Sequence, residues 1–174
     1  HGRLKNLMDV NKGYERAVEA AAAGWLNALV VENLEAAFTC VESLRQLKLG
    51  RIKIVPLQGL SPAKKVSLPQ IEGVSDKVQA FVSYDEKFMP AVTFVLGDTY
   101  LVADEKAGLV ASHVGFRSVT RNGDLFEAGG GVESGFYRAP IDFSSFVPSE
   151  SALKNLDKAV TVLKDNLTKR ETDI

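Results

Sequence analysis

The 174-residue sequence predicts a mixed α/β domain of two related lobes, and three observations predict it. Apolar strand-like runs alternate with amphipathic helical ones, the order strand, helix, strand comes round twice, and asparagine or glycine stands at the helix boundaries. An apolar fraction of 45% supplies material for a real core.

Taken in order, "YERAVEAAAA" (Tyr14 to Ala23) is rich in helix formers, and Gly24 marks its end. "LNALVV" (Leu26 to Val31) reads as a buried strand. Asn33 is placed as the N-cap of a helix whose Leu34, Ala37, Phe38, Val41, Leu44 and Leu47 recur at three- and four-residue steps, predicting one apolar face. Gly50 closes that helix, and "RIKIVPL" alternates like a strand. From Gln58 to Asp76, prolines and glycines punctuate a segment that fits neither period, read as the connection between the halves. "KVQAFVSYDEKF" is expected to be helical, and Pro90 opens a further helix that Gly97 ends. The second half then offers the apolar strand "TYLV", a short helix, the strand "RSVTR" and the hairpin signal Asn122-Gly123. Lobe one is expected over about residues 1–75 and lobe two over about 76–150.

In the tail, Leu153, Leu156, Val160, Leu163, Leu167 and Ile174 fall at a and d positions of a heptad pattern, among solvated lysines and aspartates. Residues 151–174 therefore read as the start of a coiled-coil arm. Such a short stretch needs a partner strand. The opening "HGRLKN" has no initiator Met, so an upstream segment is expected to supply that strand.

The net charge of −1 excludes a global field that would draw the chain onto nucleic acid or an anionic membrane. No apolar run approaches the ~18 residues of a membrane span. The single cysteine, Cys40, sits among Phe38 and Val41 and reads as a buried, inert thiol. Only His1 and His113 carry imidazoles, nothing stands at metal-ligand spacing, and Asp98 and Asp104 near Tyr100 make at best an imagined acid pair. Catalytic, cofactor and metal sites are not expected.

"GDLFEAGGGVESGFYR" (Gly123 to Arg138) spends five glycines on sixteen residues, with Gly130 and Gly135 at the spacing of a phosphate loop. That loop requires Lys and a hydroxyl after its second glycine, whereas Phe136 and Tyr137 follow here. A dinucleotide fingerprint would need glycine at Ser134. Close approach of two backbones and a plain surface loop both remain compatible with this composition.

In order along the chain, "HGRLKNLMDVNKGYERAVEAAAAGWLNALVVEN", "LKLGRIKIVPL", "VSYDEKFMPAVTFVLGDTYLV" and "NGDLFEAGGGVESG" resemble the hinge domain of structural maintenance of chromosomes (SMC) proteins. The resemblance covers roughly residues 1–137, and the joint order of the motifs is its specific part. It departs at Ser134, where the family's glycine signature usually closes with a glycine pair, and in "YRAPIDFSSFVPSESA" before the heptads.

The resemblance implies a two-lobed dimerisation module with no enzymatic role of its own. It would join the coiled-coil arms of a chromosome-condensing and -segregating ATPase in the cytoplasm, at the nucleoid, with a second copy or a paralogous SMC hinge as partner. Strands of one lobe would continue the sheet of the partner's other lobe. It assigns the contact to Gly130, Gly131, Val132 and Gly135, with Phe136 as an apolar neighbour. It also implies weak, sequence-independent DNA binding, for which Arg3, Lys5, Lys64, Lys65, Arg138, Lys154 and Lys158 are the candidates. A monomeric α/β ligand-binding or catalytic domain carrying a coiled-coil extension is the alternative.

Overall fold

Two strand–helix–strand crossovers organise the chain. The computed structural model describes residues 1–61 and 69–135, all of which fall in the compact unit His1–Tyr137. The heptad tail, with the rest of residues 136–174, lies outside the described residues.

The first lobe runs β1 (Gly2–Arg3), β2 (Met8–Val10), α1 (Glu15–Ala22), β3 (Leu29–Val31), α2 (Leu34–Gln46) and β4 (Ile54–Pro56). The second runs β5 (Val74–Lys77), β6 (Val82–Tyr84), α3 (Met89–Leu96), β7 (Thr99–Val102), α4 (Glu105–His113), β8 (Arg117–Thr120), β9 (Leu125–Phe126) and β10 (Val132–Glu133). A three-stranded sheet in the order β1-β3-β4 answers a five-stranded sheet in the order β10-β9-β8-β7-β5. In each, an antiparallel strand precedes a parallel pair joined through a helix: β3 pairs with β4 across α2, and β7 with β8 across α4. The predicted repetition is real, and lobe two extends it with the hairpin β8–β9 and with β10.

The two crossover helices start by the same device. Asn33 Oδ1 accepts from Ala36 N–H at 2.9 Å, and Asp104 Oδ1 accepts from Ala107 N–H at 2.8 Å. Each carboxamide or carboxylate satisfies a helix-start donor that would otherwise lack a partner. Asp104 is thus a cap, and no acid pair forms with the largely exposed Asp98.

The lobes share one core. Leu4, Val18, Val30 and Val55 of the first pack with Val78, Val92, Leu96, Val119 and Leu125 of the second. Helix α1 supplies the close fit: Ala17, Ala20, Ala21 and Ala22 are buried, and their small side chains let α1 lie against α3 and β8. A two-stranded ribbon, β2 with β6, stitches the halves through Met8↔Tyr84, Asp9↔Ser83 and Val10↔Val82.

That ribbon corrects one expectation. Residues 77–88 are not a helix but the end of β5, a 3-10 turn at Val78–Phe81, strand β6 and a second 3-10 turn at Glu86–Phe88. Cross-strand pairing with Met8–Val10 overrides a local composition that suits a helix. "LNALVV" likewise begins with a 3-10 turn, Trp25–Asn27, and only Leu29–Val31 is strand. Helix α2 ends before Gly50, its left-handed turn falling on Lys48 (φ 51°).

Gly108, inside α4, has a steric role. A Cβ built there would stand 2.5 Å from Cδ2 of Phe126, a ring that is itself buried. Helix α4 can therefore lie on β9 only with no side chain at this position. Gly108→Ala should lower unfolding stability by about 1–3 kcal/mol despite alanine's better helix propensity. Urea denaturation followed by circular dichroism measures it.

A candidate interface of two open sheet edges

Strands β4 and β10 each end a sheet. In the first, Leu29 N–H donates to Lys53 O and Leu57 N–H to Val31 O, both at 2.9 Å, so alternate residues 53, 55 and 57 face β3. Ile54 and Pro56 face the open side, and Pro56 has no N–H to offer. On β10, Glu127 N–H donates to Gly131 O at 2.7 Å, and the register Val132↔Phe126 and Glu133↔Leu125 follows. The antiparallel alternation turns the backbone groups of Glu133 toward β9 and those of Val132 outward. Val132 also exposes 55% of its surface.

Helix α2 packs on β4, and helix α4 packs on β9, the neighbour of β10; both turn apolar residues outward. Helix α4 buries Ala107, Gly108, Ala111 and Ser112 and turns Leu109, Val110 and Val114 outward. The expected apolar face of α2 exists, but none of its residues is buried, and Phe38 and Leu47 are each 67% exposed. Leu49 and Ile52, between α2 and β4, are exposed as well. Together with Leu29, Cys40, Leu44 and Leu47 they line an open apolar groove of about 260 Å³. Cys40 is thus half-buried in a groove wall and not enclosed in the core.

The glycine segment forms the approach to β10. Gly129 and Gly130 adopt φ of 95° and 107°, a left-handed region that side chains rarely enter, and they form the turn between β9 and β10. Gly131 has an ordinary φ, and an added Cβ would meet only the Glu127 side chain, at 3.4 Å, so nothing among the described residues demands glycine there. Gly135 is exposed, with φ 136°. The structure therefore brings Gly130, Gly131, Val132 and Gly135 to one sheet edge; Phe136 lies outside the described residues.

Two contacts that sequence reasoning missed hold this segment. Ser112 Oγ donates to Glu127 O and accepts from Gly130 N–H, and Arg117 Nε lies 3.1 Å from both Glu127 carboxylate oxygens. At the far end, Asp124 accepts from Thr120 Oγ1 and from Ser134 Oγ. These hydrogen bonds, Ser134's first and Thr120's second, hold the Asp124 carboxyl below its ordinary range.

Of the basic candidates, Arg3 on β1 and Lys5 in the following turn are half-buried and engaged within the protein. Lys64, Lys65, Arg138, Lys154 and Lys158 lie outside the described residues. Among the described residues no cluster of His, Cys, Asp and Glu could hold a metal ion, and no helix is long and apolar enough to cross a membrane.

A domain in which the sheet-ending strands β4 and β10 have no further strand partner among the described residues, and whose crossover helices turn apolar residues outward, belongs to the class of association modules. The profile of the SMC proteins' flexible hinge domain matches residues 1–111, and the chain belongs to that family. It is 35% identical to the chromosome partition protein Smc of Synechococcus sp., over 78% of this chain and 12% of that protein. Among solved structures, the Pyrococcus furiosus SMC hinge domain superposes with a TM-score of 0.68 at 31% identity, covering 80% of this chain and 74% of that one. An asymmetric dimer of the Geobacillus stearothermophilus SMC hinge domain shares the fold, with a TM-score of 0.73 at 24% identity, over 99% of this chain and 74% of that one.

The depressed Asp124 pKa has a definite sign. A carboxylate whose folded value lies below its unfolded one contributes stability that is complete above the unfolded value and is lost as pH falls through the folded value. Asp124→Asn should therefore flatten the acid limb of the stability curve below the ordinary carboxylate range. Urea midpoints measured from neutral pH down to pH ~3 test this. An unchanged acid limb would show that the Ser134 and Thr120 bonds do not distinguish the folded carboxylate.

Proposed function

We propose that this chain is the dimerisation hinge of an SMC-type ATPase that condenses and segregates chromosomes, joining two coiled-coil arms at the nucleoid. The observation that carries the reading is the pairing of two unlike open edges with outward apolar helix faces in a member of the hinge family. The chain spans 12% of the length of the Synechococcus Smc protein, so in this reading the ATPase belongs to a longer protein.

In this reading β10 of one copy lies along β4 of a second copy, and the reciprocal contact forms on the other side of a two-fold axis. Such an arrangement closes on itself and does not propagate. Val132 supplies outward backbone groups, and Gly130, Gly131 and Gly135 keep side chains out of the seam, with Phe136 beside them. Val110, Val114 and Val132 of one copy meet Leu47, Leu49 and Ile52 of the other. Apolar burial supplies most of the driving force, because the strands are short and Pro56 removes a donor from the β4 edge. The role is mechanical and calls for no cofactor or small-molecule substrate.

Light scattering of the purified chain should give twice its mass at micromolar concentration. Val132→Asp and Leu47→Glu, both at exposed positions, should each give folded monomers. Mixed in equal amounts, the two variants should recover part of the dimer, because one of the two contacts in the mixed pair is then built from unaltered surfaces. Contact between two β10 strands would instead leave Leu47→Glu dimeric on its own, with no complementation on mixing. A single-chain mass for the unaltered protein at high concentration refutes dimerisation itself.

A further inference from the structure

We propose that Ser112 and the Arg117–Glu127 pair are positioning residues that set the β10 edge in its pairing geometry before a second copy arrives. The inference rests on the dimerisation reading and adds to it the residues that prepare the edge.

A segment with three consecutive glycines, Gly129 to Gly131, loses more conformational freedom on ordering than any other sequence of its length. If that ordering took place only on contact, its cost would be subtracted from the affinity. The turn's hydrogen bonds are all made within the single chain. Ser112, in the last turn of α4, is fully buried, and its hydroxyl is used in both directions. Its hydrogen goes to Glu127 O, and its lone pair faces Gly130 N–H at 2.8 Å. Its backbone carbonyl accepts from Gly129 N–H at 2.9 Å. One residue thus holds the turn at three successive points: the carbonyl that enters it and the two amides at its tip.

Arg117 holds the same turn from the sheet side. Its Nε reaches both Glu127 carboxylate oxygens at 3.1 Å, while Nη1 donates to Thr99 Oγ1 at 2.6 Å and to Ala21 O at 2.8 Å. Ala21 lies in the last turn of α1, where free carbonyls favour a cation. A side chain of lobe two is thereby fixed on lobe one, and the turn that leads into β10 is fixed on that side chain. Neither Ser112 nor Arg117 is needed at the seam itself, since their polar atoms face inward to Glu127, Gly130 and Ala21.

The test uses Ser112→Ala, which removes the hydroxyl, and Glu127→Ala, which alters an exposed side chain and leaves Arg117 bound to Ala21 O and Thr99. Dimer dissociation is measured by sedimentation velocity over a dilution series. Amide hydrogen exchange and urea unfolding are measured in the Val132→Asp background, where no partner contributes. Each variant is expected to weaken the dimer about tenfold, the scale of one or two lost hydrogen bonds. Exchange at the Gly129 and Gly130 amides, both held by Ser112, should accelerate by a similar factor, with the amides of β7 and β8 unchanged. Equal acceleration in β7 and β8 would assign both residues to general stability and overturn the proposal. So would undiminished dimerisation of both variants, which leaves the dimer reading intact. A monomeric unaltered protein removes the dimer reading and, with it, the pairing role of these residues; loss of the turn's protection without loss of dimer, by contrast, removes the pairing role alone.

Discussion

A strand edge presents a row of backbone donors and acceptors, and a water-soluble fold must guard it, cover it or use it. Both critical edges here are very short: β10 spans Val132–Glu133 and β4 spans Ile54–Pro56, with Pro56 lacking an N–H. Edges of this length cannot hold a partner by backbone bonds alone, and that shortness keeps them from pairing with any strand that passes. Attachment therefore depends on surfaces beside the edges, which is where the chain places its exposed apolar residues. In the proposed dimer, selectivity and strength are divided: backbone phase sets register, and side chains of α2 and α4 set affinity.

This division explains why α4 is built the reverse of an ordinary amphipathic helix. Its buried positions are Ala107, Gly108, Ala111 and Ser112, all small, while Leu109, Val110 and Val114 point out. Small inward residues bring the helix close to the sheet, with Phe126 seated against Gly108. Large outward ones would be a liability in a permanent monomer, and the proposed seam gives them a purpose. Helix α2 repeats the theme beside β4 with no buried residue at all. The two halves of the pseudo-repeat thus carry unlike surfaces on like scaffolds, which is what a head-to-tail contact repeated about a two-fold axis requires.

Much of this was legible before the structure. Asn33 announces its helix because a side-chain oxygen there meets a free amide, and Pro90 opens α3 because its fixed φ suits a first turn. The glycine run was recognisable as an edge only through the resemblance; its composition alone equally suits a surface loop. Residues 77–88 were misread because their partner strand, Met8–Val10, lies far upstream, and pairing over that distance leaves no local period. The apolar stripe on α2 was read correctly as a pattern, while Cys40 within it was wrongly read as buried. Periodicity reports that a face wants cover; it does not say whether the same chain provides it. Ser112 and Arg117 carried no signal, since one serine and one arginine acquire meaning only when Glu127 and Ala21 are brought to them.

Ser134 shows how a departure from glycine can be accommodated at such an edge. A side chain at this place endangers close approach only if it occupies the seam, and its hydroxyl is instead drawn back to Asp124 in its own lobe. Asp124 is held in turn by Thr120 Oγ1 at 2.7 Å, on β8, so the anchor sits on an interior strand of the sheet. Together with Ser112 at the start of the turn, this fixes the β10 strand at both ends while leaving Val132 between them outward. Rigidity at the flanks and openness at the centre are thereby supplied by different residues. A change at Ser134 would act on the seam through the hold on Asp124, whereas a change at Val132 would act on it directly.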